Sequence, residues 1–374
     1  MAMVWWWAIL CLSTLAVLYP YLLYPLLLAV MGRRSEKRKD PVKWPKAAIL
    51  VSAFNEESRI GDKLRNFQAI LYPGELELWI GCDGANDRTA DVIRAAAIAG
   101  VHLQAHAERR GKTAVLNDLA AAARQNGAEV FLFTDVNAFY RPDAVTELVR
   151  MLWADPETGL VSGRTVILGA DGNAEVEGAY YRLESWLKER EGMFGCLPGA
   201  DGAIYAMRAS LYTPLENALI NDLAHPCQVV AQGHTARFAP EAVSEEGAGE
   251  GTEREFHRQT RMTAQAAYVL ASSSPALVRA GQWRMLFVLA SHKWARWTAG
   301  IWMLTAGIAW IVLTGWVGAL ALVAAIGLVA LAAKFNLPGS GILVFFTVVH
   351  AAYLRGLAKA LEGERYVTWK PRAG

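Results

Sequence analysis

The feature that most restricts what this chain can fold into is where its charges are missing. Residues 4–31 contain no acidic, basic or histidine side chain, and the run exceeds the ~20 apolar residues that cross a bilayer as a helix. Pro20 and Pro25 predict a kink. The length of the run, the lack of a basic residue ahead of it and the lack of a small-residue cleavage site behind it argue against a secretory leader. Arg33, Arg34, Lys37, Arg38 and Lys39 follow at once, and the positive-inside rule assigns that flank to the cytosol.

The far end is also apolar. Residues 298–313 and 317–333, parted near Gly315, read as a helical hairpin, and 342–354 is a shorter candidate span. Three crossings would leave the C-terminus outside, whereas Arg355, Lys359, Arg365, Lys370 and Arg372 favour the cytosol, so two and three C-terminal helices both stay open. Residues 283–297 mix Met285, Leu286, Val288 and Leu289 with Arg284, His292, Lys293 and Arg296, as expected of an interfacial helix. The expected layout is a membrane helix at 1–32, a basic linker at 33–46, a cytosolic catalytic domain at 47–274, an interfacial helix at 275–297, C-terminal membrane helices at 298–357 and a tail at 358–374.

A net charge of +2 provides no broad cationic face for nucleic acid. Cys11, Cys82, Cys196 and Cys227 are widely separated and form no CxxC pair, which argues against a zinc site or a disulfide framework.

Between the apolar ends, short β-rich runs at 48–54, 76–82, 101–105 and 130–134 alternate with helical stretches at 87–97 and 113–125. Such alternation predicts an α/β domain with a mostly parallel sheet and helices on both faces. Ligands of these sheets bind beyond the carboxyl ends of the strands. Polar residues stand at those ends: Asn55 and Glu56 after the first strand, Asp83, Gly84 and Asp87 after the second, Asp135 and Asn137 after the fourth.

An ordered set of motifs resembles the family 2 glycosyltransferases of the GT-A fold, over about residues 47–267. They are Ser52-Ala53-Phe54-Asn55-Glu56-Glu57, Asp83-Gly84-Ala85-Asn86-Asp87, Gly111-Lys112-Thr113-Ala114-Val115-Leu116-Asn117 and Thr134-Asp135-Val136-Asn137. Gly199-Ala200-Asp201-Gly202-Ala203-Ile204-Tyr205-Ala206 and Asn221-Asp222-Leu223 are similar to the acceptor-side and base motifs of the membrane-bound, polysaccharide-synthase-like branch.

The resemblance implies a Rossmann-like nucleotide-sugar-binding domain and a role for each matching residue. Asn55, Glu56 and Asp83 would hold the nucleoside, Asp83 accepting from a uridine imide. Lys112 would approach the donor phosphates. Asp135, with Asn137 in place of the second Asp of the familiar Asp-x-Asp, would hold Mg2+ or Mn2+ against the pyrophosphate. Gly199, Asp201 and Gly202 would face the acceptor. Asp222 would be the base of an inverting transfer, taking the acceptor hydroxyl proton. His225, one helical turn on, either tunes that base or packs in the interior. Arg261, within Arg258-Gln259-Thr260-Arg261-Met262, falls on the arginine of a Gln-x-x-Arg-Trp type segment and would bind phosphate; Met262 replaces its tryptophan. Tyr180, Tyr181, Glu184 and Trp186 read either as core or as the wall of an acceptor channel.

The expected enzyme is a metal-dependent hexosyltransferase of a bacterial inner membrane, its catalytic domain cytosolic. It would build an envelope or extracellular polysaccharide from UDP-glucose or UDP-N-acetylglucosamine, with extrusion either by the protein itself or through an export partner. Two alternatives stay open: single addition to a lipid acceptor such as a polyprenyl phosphate or glycolipid, and a non-catalytic scaffold or transporter that keeps the fold.

Overall fold

The computed structural model describes residues 1–31, 40–169, 179–247, 252–335, 337 and 340–366. The basic residues at 33–39, together with Lys370 and Arg372, lie outside the described residues. The chain divides into two compact units: Met1–Met31, Glu250–Tyr268 and Phe287–Arg365 form one, and Gly32–Gly249, Val269–Leu286 and Tyr366–Gly374 the other.

In the first unit, α1 (Ala2–Leu18) and α2 (Tyr24–Met31) are joined by a π-helical turn at Tyr19–Leu23. Pro20 sits inside that turn, where its missing N–H cannot serve an α-helical ladder.

The second unit is built on a sheet. Its strands are β1 (Ala47–Ala53), β2 (Leu76–Asp83), β3 (Val101–His106), β4 (Val130–Thr134), β5 (Phe139–Tyr140), β6 (Thr158–Leu168), β7 (Tyr205–Arg208) and β8 (Thr235–Gly247), ordered β3-β2-β1-β4-β7-β6-β8-β5. The first four pair in parallel. The other half is mixed, because β7 returns antiparallel to both β4 and β6, while β6 and β8 pair in parallel and β5 lies antiparallel to β8. The helices of this unit are α3 (Ile60–Gln68), α4 (Thr89–Ala96), α5 (Lys112–Gln125), α6 (Ala144–Ala154), α7 (Ala179–Met193) and α8 (Asn221–Ala231). Every residue of β1 and β4 is buried, as continuous apolar runs require when helices cover both faces. Ile49, Val51, Leu78, Ile80 and Leu132 share one core cluster with Ile60 and Leu64 of α3 and Leu148 and Leu152 of α6.

The remaining helices are α9 (Thr252–Arg279), α10 (Trp283–Leu289), α11 (Ala295–Lys334) and α12 (Ser340–Leu361). Residues 283–297, expected as a separate interfacial helix, run through a π-helical turn at Ala290–Trp294 straight into α11. The expected break near 315 is present: Gly315, at φ 65° and ψ −149°, interrupts α11. Within the first unit the two π-helical turns supply side-chain contacts, Tyr19 to Ser291 at 2.8 Å and Tyr21 to His350 at 2.7 Å. Gly356 lets α12 pack against Thr260 and Thr263 of α9, and Gly300 lets α11 pack against Leu354 of α12, a small-residue contact of the kind found between helices in lipid. Met3–Met31, Trp283–Ala332 and Ser340–Leu361 are long and apolar enough to cross a membrane. Their exposed Trp5, Leu12, Leu22, Ile308, Leu320 and Val323 form a surface suited to acyl chains rather than water.

Candidate functional site

The parallel half of the sheet carries three of the expected loci at one edge. Asn55 and Glu56 follow β1, Asp83 ends β2, and Asp135 and Asn137 follow β4, all at carboxyl ends of neighbouring strands. Asn55 takes up the left-handed conformation, φ 54°, and its side-chain oxygen accepts from Asn86 N at 3.1 Å. Glu56 N donates to Thr89 Oγ1 at 2.9 Å and Glu57 N to Asp87 Oδ2 at 3.0 Å, so the loops after β1 and β2 are laced together. The Arg109 guanidinium lies 3.7 Å from the centre of the Phe54 ring.

The short turn that opens α5 ties these loops to the rest of the site. Gly111, at φ 95°, adopts a backbone that L side chains resist. That turn aims the Arg110 and Gly111 amides at Asp83, whose wholly buried carboxylate accepts them at 2.6 and 2.9 Å. Two residues on, Thr113 Oγ1 donates to Leu219 O at 2.9 Å and pairs with Asn221 Oδ1 at 3.1 Å. Asn117, last of the Gly111 motif, bonds Leu215 through both backbone groups, at 2.8 and 3.1 Å, and Tyr212 Oη at 2.6 Å. It thereby anchors the loop leading to Asp222.

Lys112 reaches Asp135 from the same turn, Nζ to Oδ1 at 2.5 Å. Burial works to lower the Lys112 pKa, but Asp135, through charge and hydrogen bond, and then Asp222 and Glu246 outweigh it and leave the pKa raised. Lys112 is thus firmly a cation facing three acids. Glu246, on β8, belongs to no motif and was missed in the sequence; its only signal is a mostly buried carboxylate.

In the segment after β4, Val136 and Ala138 are buried while Asp135 and Asn137 are half-exposed. In this turn the carboxylate of Asp135 and the amide of Asn137 are therefore the side chains that solvent reaches. No group of three metal-ligating acids, histidines or cysteines exists among the described residues. The donor set therefore fits a hard divalent ion held by one carboxylate and one amide oxygen together with substrate phosphates, the usual manner of Mg2+, rather than an all-protein cage.

Asp222 stands in the first turn of α8, where the helix dipole favours a carboxylate. Pro226 lies four residues on and has no N–H to offer the Asp222 carbonyl. That carbonyl instead accepts from Ala200 N at 2.7 Å, which fastens the Gly199–Gly202 loop to the α8 turn. Gly202 makes the contact close: a Cβ there would lie 3.1 Å from Asp222 Oδ2. The Asp201 carboxylate is turned inward, accepting from Thr165 N at 3.0 Å, Thr165 Oγ1 at 2.9 Å and Ala203 N at 3.1 Å. Its influence on the acceptor side therefore runs through the shape of the loop.

His225 is wholly buried among Phe133, Tyr205 and Tyr212, with Nδ1 3.0 Å from Tyr205 Oη. Burial pushes its pKa down to about 3, so it is a neutral packing group beneath Asp222. On α7, Leu187 is buried core while Glu184 and Trp186 are half-buried; the Tyr180 and Tyr181 side chains lie outside the described residues. Arg258 and Arg261 belong to the helical unit, where Arg258 pairs with Glu255 at 2.7 Å.

Comparison with known proteins bears on the family and the fold. Residues 48–216 match the model of glycosyl transferase family 2. Over 285 residues the chain is 26% identical to the probable glycosyltransferase YdaM of Bacillus subtilis (strain 168), a match covering 69% of this chain and 66% of that protein. In three dimensions it is similar to the mannosyltransferase PcManGT from Pyrobaculum calidifontis, solved in complex with GDP-Man and Mn2+. The TM-score is 0.75 at 21% identity, over 96% of this chain and 99% of that one. Residues 48–216 are thus a glycosyl transferase family 2 domain, and the chain has the GT-A fold.

Proposed function

We propose that the protein is a membrane-bound, inverting glycosyltransferase that moves a hexose from a UDP-sugar, of the UDP-glucose or UDP-N-acetylglucosamine type, onto a growing envelope or extracellular polysaccharide. The observation that carries this reading is the turn Arg110–Thr113. Its backbone binds Asp83, its lysine binds Asp135, and its threonine binds the segment bearing Asp222. One local structure thus links the residues assigned to the nucleoside, the diphosphate and the acceptor, which supports the reading.

In this reading Asn55 and Glu56 form the nucleoside end, and Asp83, wholly buried and bound to the Arg110 and Gly111 amides rather than exposed to a uridine imide, shapes that end from behind. Lys112 offsets charge on the departing diphosphate. Mg2+ or Mn2+, held by Asp135, Asn137 and the diphosphate, supplies further charge stabilisation to the leaving group. Asp222 takes the proton from the acceptor hydroxyl as that oxygen attacks the anomeric carbon, and the Gly199–Gly202 loop, with His225 packed beneath, sets its position. The three apolar segments hold the enzyme in a bacterial inner membrane, the catalytic unit on the cytosolic side. A membrane part this small leaves polymer export to a partner protein. Met262, where the related motif has tryptophan, favours a second reading, single addition to a lipid-linked acceptor.

The test is to incubate membranes carrying the protein, or Asp222→Asn, with labelled UDP-glucose, UDP-N-acetylglucosamine and GDP-mannose, then separate lipid-soluble from polymeric products. UDP release that vanishes in Asp222→Asn with donor binding intact supports the proposal. Transfer from GDP-mannose alone would overturn the UDP assignment, and one labelled sugar on lipid would select the second reading.

A further inference from the structure

Beneath the Asp135–Asn137 segment lies a lysine that no motif accounts for. Lys63, on α3, is only 3% exposed. Its ammonium donates to Thr134 Oγ1 at 3.1 Å and to Ala138 O at 2.5 Å, one residue before Asp135 and one after Asn137. The Tyr140 ring lies 5.1 Å away. One helical turn on, Asn66 grips the backbone of Tyr140 from both sides, donating to its carbonyl at 2.8 Å and accepting its N–H at 2.9 Å. One face of α3 thus clamps residues 134–140 at three points. The cation is costly to keep there: burial pushes its pKa down to about 7 against the opposing pull of Asp135 and Glu246. An uncharged side chain there would avoid the desolvation of an ammonium but leave Ala138 O without its donor, so the two effects on stability oppose each other, and what the lysine adds is the geometry it imposes on residues 134–138.

We propose that Lys63 is a positioning residue that fixes the Asp135–Asn137 turn in the shape that grips the divalent ion and the donor diphosphate. The inference rests on the glycosyltransferase reading above. With asparagine in place of the second acid, the segment brings a single carboxylate to the ion. The direction of the Asn137 carbonyl then matters more than it would beside two charges, and Lys63 fixes the backbone on either side of it. Groups that orient metal ligands from behind typically alter affinity by about 10- to 100-fold when removed.

The experiment uses the full chain in detergent or nanodiscs, as wild type, Lys63→Met and Thr134→Val. Manganese binding is read from the EPR signal of free Mn2+ at saturating UDP, UDP binding is measured separately in EDTA, and thermal midpoints are recorded for all three proteins. Lys63→Met is expected to weaken Mn2+ by about 10-fold while UDP binding in EDTA and the thermal midpoint stay near wild type. Thr134→Val, which keeps the ammonium and removes one of its partners, is expected to weaken Mn2+ in the same direction but less. Unchanged or tighter Mn2+ binding in Lys63→Met overturns the proposal, since tightening would mean that the lysine acts only as a repelling charge. If Lys63→Met melts early, unchanged Mn2+ binding by a stable Thr134→Val overturns it instead. Wild type that binds no UDP, with or without Mn2+, would refute the functional reading rather than this role.

Discussion

Gly202→Ala is a small perturbation aimed at the proposed base. The added Cβ would stand 3.1 Å from Asp222 Oδ2, where ordinary contact begins near 3.4 Å, and 3.7 Å from Asp222 Cβ and Cγ. The carboxylate must yield by a few tenths of an ångström. Misplacing reacting groups by about 1 Å costs on the order of 100-fold in rate, so a shift of roughly a third of that should lower kcat about 5-fold, or ~1 kcal/mol of barrier. The donor KM should not change, because Asp83 and Lys112 are held by the Gly111 turn rather than by residue 202. Gly247→Ala, with open space around it, serves as the neutral control. Steady-state UDP release at saturating acceptor, with donor varied, measures both constants. A wild-type kcat, or a loss confined to donor KM, would refute the placement of Asp222 as the group that meets the acceptor.

Two further outcomes follow from the same geometry. Asp135→Ala removes the only carboxylate of the Asp135–Asn137 turn, so donor turnover should fall by at least about 100-fold and stop responding to added Mg2+ or Mn2+; a retained metal response would move the ion elsewhere. His225, held near pKa 3 by burial, is neutral in the fold, whereas the unfolded chain takes up its proton below about pH 6.5. Its contribution is therefore intact above that pH and lost as pH falls toward 3, by up to about 5 kcal/mol. His225→Gln should narrow the drop in melting temperature between pH 7 and pH 4.5, and an unchanged drop would assign acid sensitivity to other groups.

The sequence and the structure agree most where local pattern and burial obey the same rule. Strands β1, β2 and β4 are almost wholly buried runs, and the polar residues after them had only the carboxyl ends of neighbouring strands to occupy. The mixed half was less legible, because the antiparallel return of β7 depends on pairing with distant partners. Lys63 and Glu246 were missed for a related reason. A lysine in Gly-Asp-Lys-Leu-Arg reads as a solvated helix face, and only the approach of residues 134–140 buries it. His225 was legible as a choice between two roles, and ring packing selects the interior one. The helix at 283–297 carries enough charge to read as interfacial, yet the π-helical turn at Ala290–Trp294 keeps it continuous with α11.

The hydrogen bond released by Pro226 couples two stretches of chain that selection or design would otherwise treat as separate. With the Asp222 carbonyl committed to Ala200, residues 199–202 and the start of α8 are joined backbone to backbone. Altering which hydroxyl this enzyme glycosylates should therefore mean exchanging the two stretches together. A graft of the loop without its proline-bearing helix would let the α8 backbone reclaim the carbonyl and leave the transplanted loop unmoored.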